Sequence, residues 1–302
     1  MSLLTAVVRS RRTAGLFAMV VLAVSAVMVA PHAAASSGKG VRAALTATVT
    51  ATLTAAPRLP LLVRRSSDGH LLAYEPKATG AGLQPAVDLG GGFSAVTAIL
   101  RANVSGAAGS DVYFRLNGTL FYTAERGSGT RRIGPGWDAY NLLMSPGDMG
   151  GAAVPDILAR DADGALWLFQ GKPDGTLLDR VQVGPAGWNT MSALAGYGDY
   201  TGDGKNDLLA RSTGGTLYIY PGTGGTTAGA VLGTRISAGT GWDAYTALVS
   251  TGDNDGDGKA DLFARDAAGA LWLFKGTGTA SAPFAARVQI GASGWNAANA
   301  FL

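Results

Sequence analysis

A unit of about fifty residues recurs along most of this 302-residue chain and limits the architectures that it can adopt. Each copy contains a strand-like run that ends in arginine, then a short turn rich in Asp, Asn and Gly, and then an aromatic run. Repeats of this length bury their apolar faces against neighbouring copies, so the spacing predicts a repeat architecture with a shared core. The arginine-ending runs begin at Leu61, Asp111, Asp156, Asp207 and Asp261, in steps of 50, 45, 51 and 54 residues.

A second motif, Gly-Trp-Asp or Gly-Trp-Asn, marks the back half of each unit. A short strand-like piece precedes it and an apolar segment follows it, so each unit has four short strands joined by turns. Sustained helical periodicity is absent after the first 35 residues. This pattern predicts an all-β chain, a β-propeller of four-stranded blades. The motif tryptophans are Trp137, Trp188, Trp242 and Trp295, with a degenerate copy at Phe93.

Five arginine-ending strands predict five blades. The repeat begins at the Leu61 run, without a complete first blade, and residues 297–302 form a strand that lacks the rest of its blade. Pairing 297–302 with the Leu61 run closes the ring and removes an exposed sheet edge. In an alternative arrangement, residues 47–54 supply the missing strand of the first blade.

A nine-residue acidic loop precedes the arginine-ending strand, and its fullest copy lies in GDNDGDGKADL at 252–262. Four carboxylates this close repel one another unless a cation lies among them. Side-chain oxygens stand at loop positions one, three, five and nine, a backbone carbonyl stands at position seven, and a glycine allows the sharp bend, as in calcium loops. We therefore predict a Ca²⁺ site formed by Asp253, Asp255, Asp257, the carbonyl of Lys259, and Asp261.

The preceding copy, GDYTGDGKNDL at 198–208, predicts a second Ca²⁺ site. A threonine at its third position is a weaker ligand than a carboxylate, so we expect lower affinity here. The remaining two loops, 148–156 and 103–111, have lost side-chain oxygens at Gly150, Ala152 and Ala107, and we expect them to hold their shape without metal. The second site is formed by Asp199, Thr201, Asp203, the carbonyl of Lys205, and Asp207.

Through these loops and the runs that follow them, DLLAR at 207–211 and DLFAR at 261–265, residues 57–302 resemble the FG-GAP or VCBS-type repeat family. This family includes the integrin α-subunit propeller and many bacterial extracellular proteins. The resemblance implies calcium bound between two strands of a blade. It also implies a binding or adhesion module whose loops recognise a protein or glycan. Family propellers usually have seven blades, whereas five are counted here.

The N-terminal region indicates export. Arginines precede an apolar run at 15–30, and a small-residue cleavage site ends at Ala35, which together predict a signal peptide over 1–35. A Ser/Ala/Thr-rich linker is expected over 36–56, before the propeller at 57–302. Arg11-Arg12 leaves the twin-arginine and general secretory routes both open. The expected location is extracellular or on the cell wall.

Removing 1–35 takes away three basic and no acidic residues, which leaves 21 of each. The net positive charge of the chain thus comes from the predicted signal peptide. We therefore expect neither nucleic-acid binding nor membrane insertion after cleavage. We expect a monomer.

The residues argue against catalysis. The chain has no Cys, no Gly-x-Ser-x-Gly elbow and no His-Glu-x-x-His motif, and His70 is the one histidine left after cleavage. We therefore expect a binding protein rather than an enzyme such as an extracellular hydrolase. A lectin-like propeller is the alternative, with sugars stacked on the motif tryptophans, although their fixed register favours packing between blades.

Overall fold

The computed structural model describes residues 55–106, 111–124, 127–151 and 154–302. The predicted signal peptide and all of the predicted linker before Ala55 lie outside these residues, as does the strand considered at 47–54. Within the described ranges, no helix has the length and apolar character needed to cross a membrane.

The described residues form twenty strands, which build five four-stranded antiparallel sheets. The four strands of each sheet are ordered from the ring axis outward, as in the blades of a propeller. In blades 2 to 5 this order follows the chain, whereas the innermost strand of blade 1 is the last strand of the chain. Blade 1 contains β1 (Leu61–Arg65), β2 (Leu71–Tyr74), β3 (Val87–Gly90) and, innermost, the last strand β20 (Ala298–Phe301). Blade 2 contains β4 (Ala98–Arg101), β5 (Val112–Leu116), β6 (Thr119–Thr123) and β7 (Arg131–Gly134).

The other three blades follow in chain order and keep the same strand arrangement. Blade 3 contains β8 (Tyr140–Gly147), β9 (Asp156–Asp161), β10 (Leu166–Phe169) and β11 (Val181–Gly184). Blade 4 contains β12 (Met191–Gly198), β13 (Asp207–Ser212), β14 (Leu217–Tyr220) and β15 (Ile236–Ser237). Blade 5 contains β16 (Tyr245–Val249), β17 (Leu262–Asp266), β18 (Leu271–Phe274) and β19 (Val288–Gly291).

The C-terminal strand closes the ring. In blade 1, Val63 of β1 pairs with Phe301 of β20, and the amide of Leu302 donates to the carbonyl of Leu62 at 2.9 Å. The predictions of five blades and of C-terminal closure are confirmed. β20 occupies the inner position beside β1, and residues 47–54 lie outside the described residues.

The apolar core lies between blades, in five clusters that each join one blade to the next. The motif tryptophans start 3-10 turns at the entry to the inner strands and pack on aromatic rings of the blade that follows. Three of them, Trp137, Trp188 and Trp242, are buried, which confirms the packing interpretation. The ring centroids are 4.7 Å apart for Trp137–Phe169, 4.7 Å for Trp188–Tyr220, 4.6 Å for Trp242–Phe274 and 4.9 Å for Trp295–Tyr74.

An arginine one residue before the end of each second strand forms hydrogen bonds to the next blade, a contact that we call the arginine clasp. Its Nη1 donates to two carbonyls at the turn that leads into the neighbouring inner strand, and its Nε donates to a side-chain oxygen near the start of its own inner strand. In blade 3, for example, Arg160 donates to the carbonyls of Trp188 at 2.9 Å and Met191 at 2.7 Å. The five clasping residues are Arg64, Arg115, Arg160, Arg211 and Arg265.

In the first repeat the arginine that makes this contact is one residue earlier than the sequence alignment predicts. In blade 1 the donor is Arg64, whose Nη1 reaches the carbonyls of Phe93 and Val96, whereas Arg65 pairs with the exposed Asp68 at 2.6 Å. Pro60, rather than Leu61, is therefore the equivalent of the aspartates that open the other runs. The sequence alignment was one residue off because two adjacent arginines both fit the pattern.

We expect Arg160→Met to lower the free energy of unfolding by about 2 kcal/mol, because it leaves two half-buried carbonyls without their charged donor. Urea denaturation monitored by tryptophan fluorescence measures this loss. The matched control is Arg131→Met, which removes only the exposed ion pair to Asp174 at 2.8 Å and should change little. Equal stability of the two variants would contradict a clasp role.

Candidate metal sites in the acidic loops

Each acidic loop connects the inner strand of a blade to its second strand, so the four loops emerge on one face of the ring. We call this the acidic-loop face and define it by residues 103–111, 148–156, 199–207 and 253–261. Residues 107–110 and 152–153 of these loops, and with them Ala107 and Ala152, lie outside the described residues.

The aspartate that closes each loop is a buried hydrogen-bond acceptor. In blade 3, Asp156 is fully buried; its Oδ2 accepts the amides of Met149 at 2.9 Å and Gly150 at 2.8 Å, and its Oδ1 accepts that of Gly171 at 3.0 Å. This arrangement ties the loop to the end of the third strand. Asp207 and Asp261 repeat it with the amides of Tyr200, Thr201 and Gly222 and of Asn254, Asp255 and Gly276.

The glycine that donates to the closing aspartate was missed by the sequence interpretation. A Cβ at Gly222 would lie 2.0 Å from the carbonyl oxygen of Asn206, and one at Gly276 would lie 2.0 Å from that of Ala260. Only glycine therefore fits there. The sequence does carry the signal, because a glycine stands fifteen residues after each of Asp156, Asp207 and Asp261.

Burial raises the pKa of Asp156, Asp207 and Asp261 to about 6 in each case, against the opposing effect of the donated amides. All three carboxylates are therefore ionised at neutral pH, and each then acts as an acceptor only. In blade 2, Asp111 is also fully buried, and its carboxylate accepts the amide of Ser105 at 2.6 Å and the hydroxyl of Tyr122 at 2.8 Å.

In the blade 4 loop, carboxylate oxygens of Asp199, Asp203 and Asp207 lie within 4.8 Å of one another. The amides of the loop glycines hold Asp199 in place, as its carboxylate accepts from Gly202 at 2.6 Å and Gly204 at 2.7 Å. Of the other two predicted ligands, Thr201 places its hydroxyl 3.4 Å from Asp199 Oδ1, and Lys205 donates its amide to Asp203 at 3.0 Å.

In the blade 5 loop, the converging carboxylates belong to Asp253, Asp255 and Asp261. Asp257, a predicted ligand, is exposed and outside this group, and its Oδ1 accepts the amide of Lys259 at 2.9 Å. A cation that the sequence interpretation overlooked also reaches the loop, because Lys275 Nζ lies 2.6 Å from Asp255 Oδ2.

Both sets of carboxylates fit a hard divalent cation. Three ionised groups converge in each loop, and a carboxylate has about four lone-pair sites, so the donated amides leave acceptor capacity for an ion. Backbone donors cancel only part of the repulsion between three negative charges at this separation. Within the described parts of the other two loops, no such group of three is found.

Residues just before blade 1 brace the blade 5 loop. The amide of Ala56 donates to the carbonyl of Gly258 at 3.0 Å, and the amide of Asp253 donates to that of Pro57 at 2.8 Å. Arg58 adds a bond from its guanidinium to the carbonyl of Asn254 at 3.0 Å. These contacts join blades 5 and 1 on the acidic-loop face.

A groove of about 490 Å³ runs between the loops of blades 3, 4 and 5 on this face. Its walls include the side chains of Asp148, Asp199, Lys205 and Lys259 together with many glycines. The groove is therefore lined by positive and negative residues and by main chain at its glycines.

The chain was compared with known protein families, curated sequences and solved structures. An FG-GAP-like repeat model matches residues 199–264, which contain both metal-compatible loops and the strands between them. This match and the five four-stranded blades together support an FG-GAP-type β-propeller. No curated protein sequence matches it.

Several solved structures resemble the chain at low identity. The BP39L lectin from Burkholderia pseudomallei is 14% identical, with 77% of this chain and 70% of that chain covered and a TM-score of 0.44. A protein of unknown function from Bacteroides caccae is 10% identical, with coverages of 76% and 72% and a TM-score of 0.37. The Dos1 propeller is 8% identical, with coverages of 76% and 70% and a TM-score of 0.35. No ligand for this chain follows from such distant similarity.

We expect Asp156→Asn to destabilise the fold by about 1–3 kcal/mol, because an amide cannot accept all three backbone donors and turns an N–H toward one of them. The loss should be the same in calcium and in chelator, since this loop brings no three carboxylates together. Denaturant titration in both buffers measures it. Asp163→Asn, on an exposed turn of the same blade, is the control and should leave stability unchanged.

Proposed function

We propose that the chain is a secreted, non-catalytic propeller that binds Ca²⁺ and acts as an extracellular binding or adhesion module. The observation that carries this proposal is the convergence of three carboxylates within 4.8 Å in each of two loops. Such clusters are costly when bare and favourable with an oxygen-preferring cation between them.

In this proposal the ions act structurally. Calcium neutralises the two acidic loops and holds the inner strand of blades 4 and 5 to the second strand, at the point where the groove is formed. In the described parts of the blade 2 and blade 3 loops no group of three carboxylates is found, so protein donors to Asp111 and Asp156 suffice there. Since the groove lies between the ion-binding loops, recognition of a protein or glycan on this face depends on calcium.

The surroundings of His70 support a non-catalytic role. Its Nδ1 lies 2.9 Å from Asp88, and Arg65 contacts both Asp68 and Asp88, so the histidine belongs to a solvent-exposed charge cluster. His70 lies in the turn between β1 and β2 and is not among the residues that line the groove.

A lectin-like function is the second candidate, and three pockets favour it. They lie between blades, next to the motif tryptophans, with volumes of about 300, 340 and 410 Å³. Beside the tryptophan, each pocket contains a half-buried aromatic side chain, which suits contact with a sugar ring. These pairs are Trp295 with Tyr74, Trp188 with Tyr220, and Trp242 with Phe274.

A glycan-array screen separates the two modes of recognition. Binding that disappears in chelator places the ligand on the acidic-loop face. Binding that persists in chelator and is lost in Tyr220→Ala places it in the pockets between blades. An array without hits, in calcium-containing buffer, contradicts the lectin-like candidate and leaves a protein ligand.

We expect chelation of Ca²⁺ to lower the melting temperature by several degrees, because an ion that binds only the folded state stabilises it by mass action. Differential scanning calorimetry of the protein purified in chelator and titrated with Ca²⁺ measures the shift, and Mg²⁺ at the same concentrations is the control for ionic strength. Identical melts with and without Ca²⁺ would rule out a structural ion.

We expect Lys275→Met to tighten Ca²⁺ binding several-fold at the blade 5 loop, because it removes a positive charge that pairs with the ligand Asp255. Isothermal titration calorimetry resolves the change. The control is Lys172→Met, which removes the same charge from a turn of blade 3 that belongs to neither acidic loop. Unchanged or weaker binding in Lys275→Met would show that Asp255 is not a ligand.

A further inference from the structure

The inner strands surround a cavity of about 80 Å³ on the axis of the ring. All five blades contribute to its wall, largely through aliphatic side chains and small residues such as Ala195 and Gly196. Among the described residues that line it, Arg101 at the end of β4 carries the only charged side chain.

The guanidinium of Arg101 is poorly paired for a buried cation. The residue is 3% exposed. Its Nη1 donates to the carbonyl of Pro60, its Nη2 makes a long contact of 3.5 Å to the carbonyl of Ser250, and its Nε has no partner among the described residues. None of the carboxylates in the described ranges lies within ion-pair distance of it, and Glu75 attracts it only from a longer distance. The Tyr197 ring lies 5.3 Å from the guanidinium carbon.

A buried charge without a counter-charge costs several kcal/mol. Burial lowers the pKa of Arg101 to about 10, so the guanidinium remains protonated at neutral pH and the cost is not avoided by loss of the proton. Neutral carbonyls satisfy two of its five N–H groups but do not balance the charge.

Other polar groups gather at the same level of the axis. Tyr197, on the inner strand of blade 4, has a left-handed backbone with φ of 64°, which is uncommon for a residue other than glycine. Its hydroxyl donates to the carbonyl of Arg101 at 3.4 Å, accepts from Ser145 Oγ at 3.4 Å, and also interacts with the backbone of Asn103. The hydroxyl of Thr251, at the equivalent position in blade 5, is buried and has no partner among the described residues.

We infer that this axial cavity binds a small monovalent anion, of halide or nitrate size, on the guanidinium of Arg101. The cavity volume sets the size, since about 80 Å³ holds such an ion and a few waters but no sugar or nucleotide. The free Nε–H of Arg101 supplies a charge-assisted donor for such an ion. Water in the cavity satisfies hydrogen bonds but leaves the charge unbalanced.

Bromide is the probe that locates the site. Crystals of the full propeller grown in sodium bromide should show an anomalous peak on the axis, within hydrogen-bond distance of the Arg101 guanidinium. Ordered water without an anomalous peak, or the terminal carboxylate of Leu302 turned onto Arg101, would overturn the proposal. This measurement uses the unaltered protein and does not depend on the stability of any variant.

A melting experiment tests the same inference in solution. At constant ionic strength, replacing gluconate by bromide should raise the melting temperature by a few degrees, and Arg101→Met should abolish that rise. Arg235→Met, which removes an exposed arginine stacked on Tyr218, is the control and should keep the full bromide response. Equal bromide responses in the two variants would overturn the assignment to Arg101.

Discussion

The interaction on which the ring depends is the donation of one guanidinium per blade to two carbonyls of the next blade. A four-stranded sheet this small exposes two apolar faces, and it becomes stable only when neighbouring blades cover both of them. The tryptophan packing supplies the apolar part of that contact, and the arginine satisfies the carbonyls of the turn that the tryptophan opens. Arg265 makes the same contact with the turn before the C-terminal strand. The junction between blades 5 and 1 is therefore held by the same interactions as the other blade junctions.

Aspartates have two different roles in the acidic loops, although they form a single pattern in the sequence. In blades 3, 4 and 5 the closing aspartate is a buried acceptor for three backbone amides, although the described part of the blade 3 loop has no carboxylate cluster. The earlier aspartates in blades 4 and 5 add negative charge beyond what the backbone donors balance. The charge that the proposed cation would neutralise thus comes from Asp199 and Asp203 in one loop and from Asp253 and Asp255 in the other. The backbone donors to Asp207 and Asp261 shape these loops without any contribution from an ion.

Much of the fold could be predicted because its determinants recur at a constant spacing. Five arginine-ending strands, the tryptophan register and the unpaired last strand lead to five blades and closure at the C-terminus. The residues of the candidate metal sites could be predicted only in part. Position five of the blade 5 loop fits a ligand pattern, yet Asp257 turns to the surface, and Lys275 approaches Asp255 from the adjoining strand end. Neither outcome has a signature within nine residues of sequence.

The sequence by itself determined the repeat length, the number of strands in each unit, and the loops rich in carboxylates, because alternation, turn residues and loop spacing are local properties of a chain. Only the tertiary structure decided which groups meet: the clasp between Arg160 and the next blade, the cation beside Asp255, and the burial of Arg101 on the axis. The carbonyl of Ser250 that Arg101 approaches lies 149 residues further along the chain. Contacts of this kind depend on how five blades close on one another, so no local pattern encodes them.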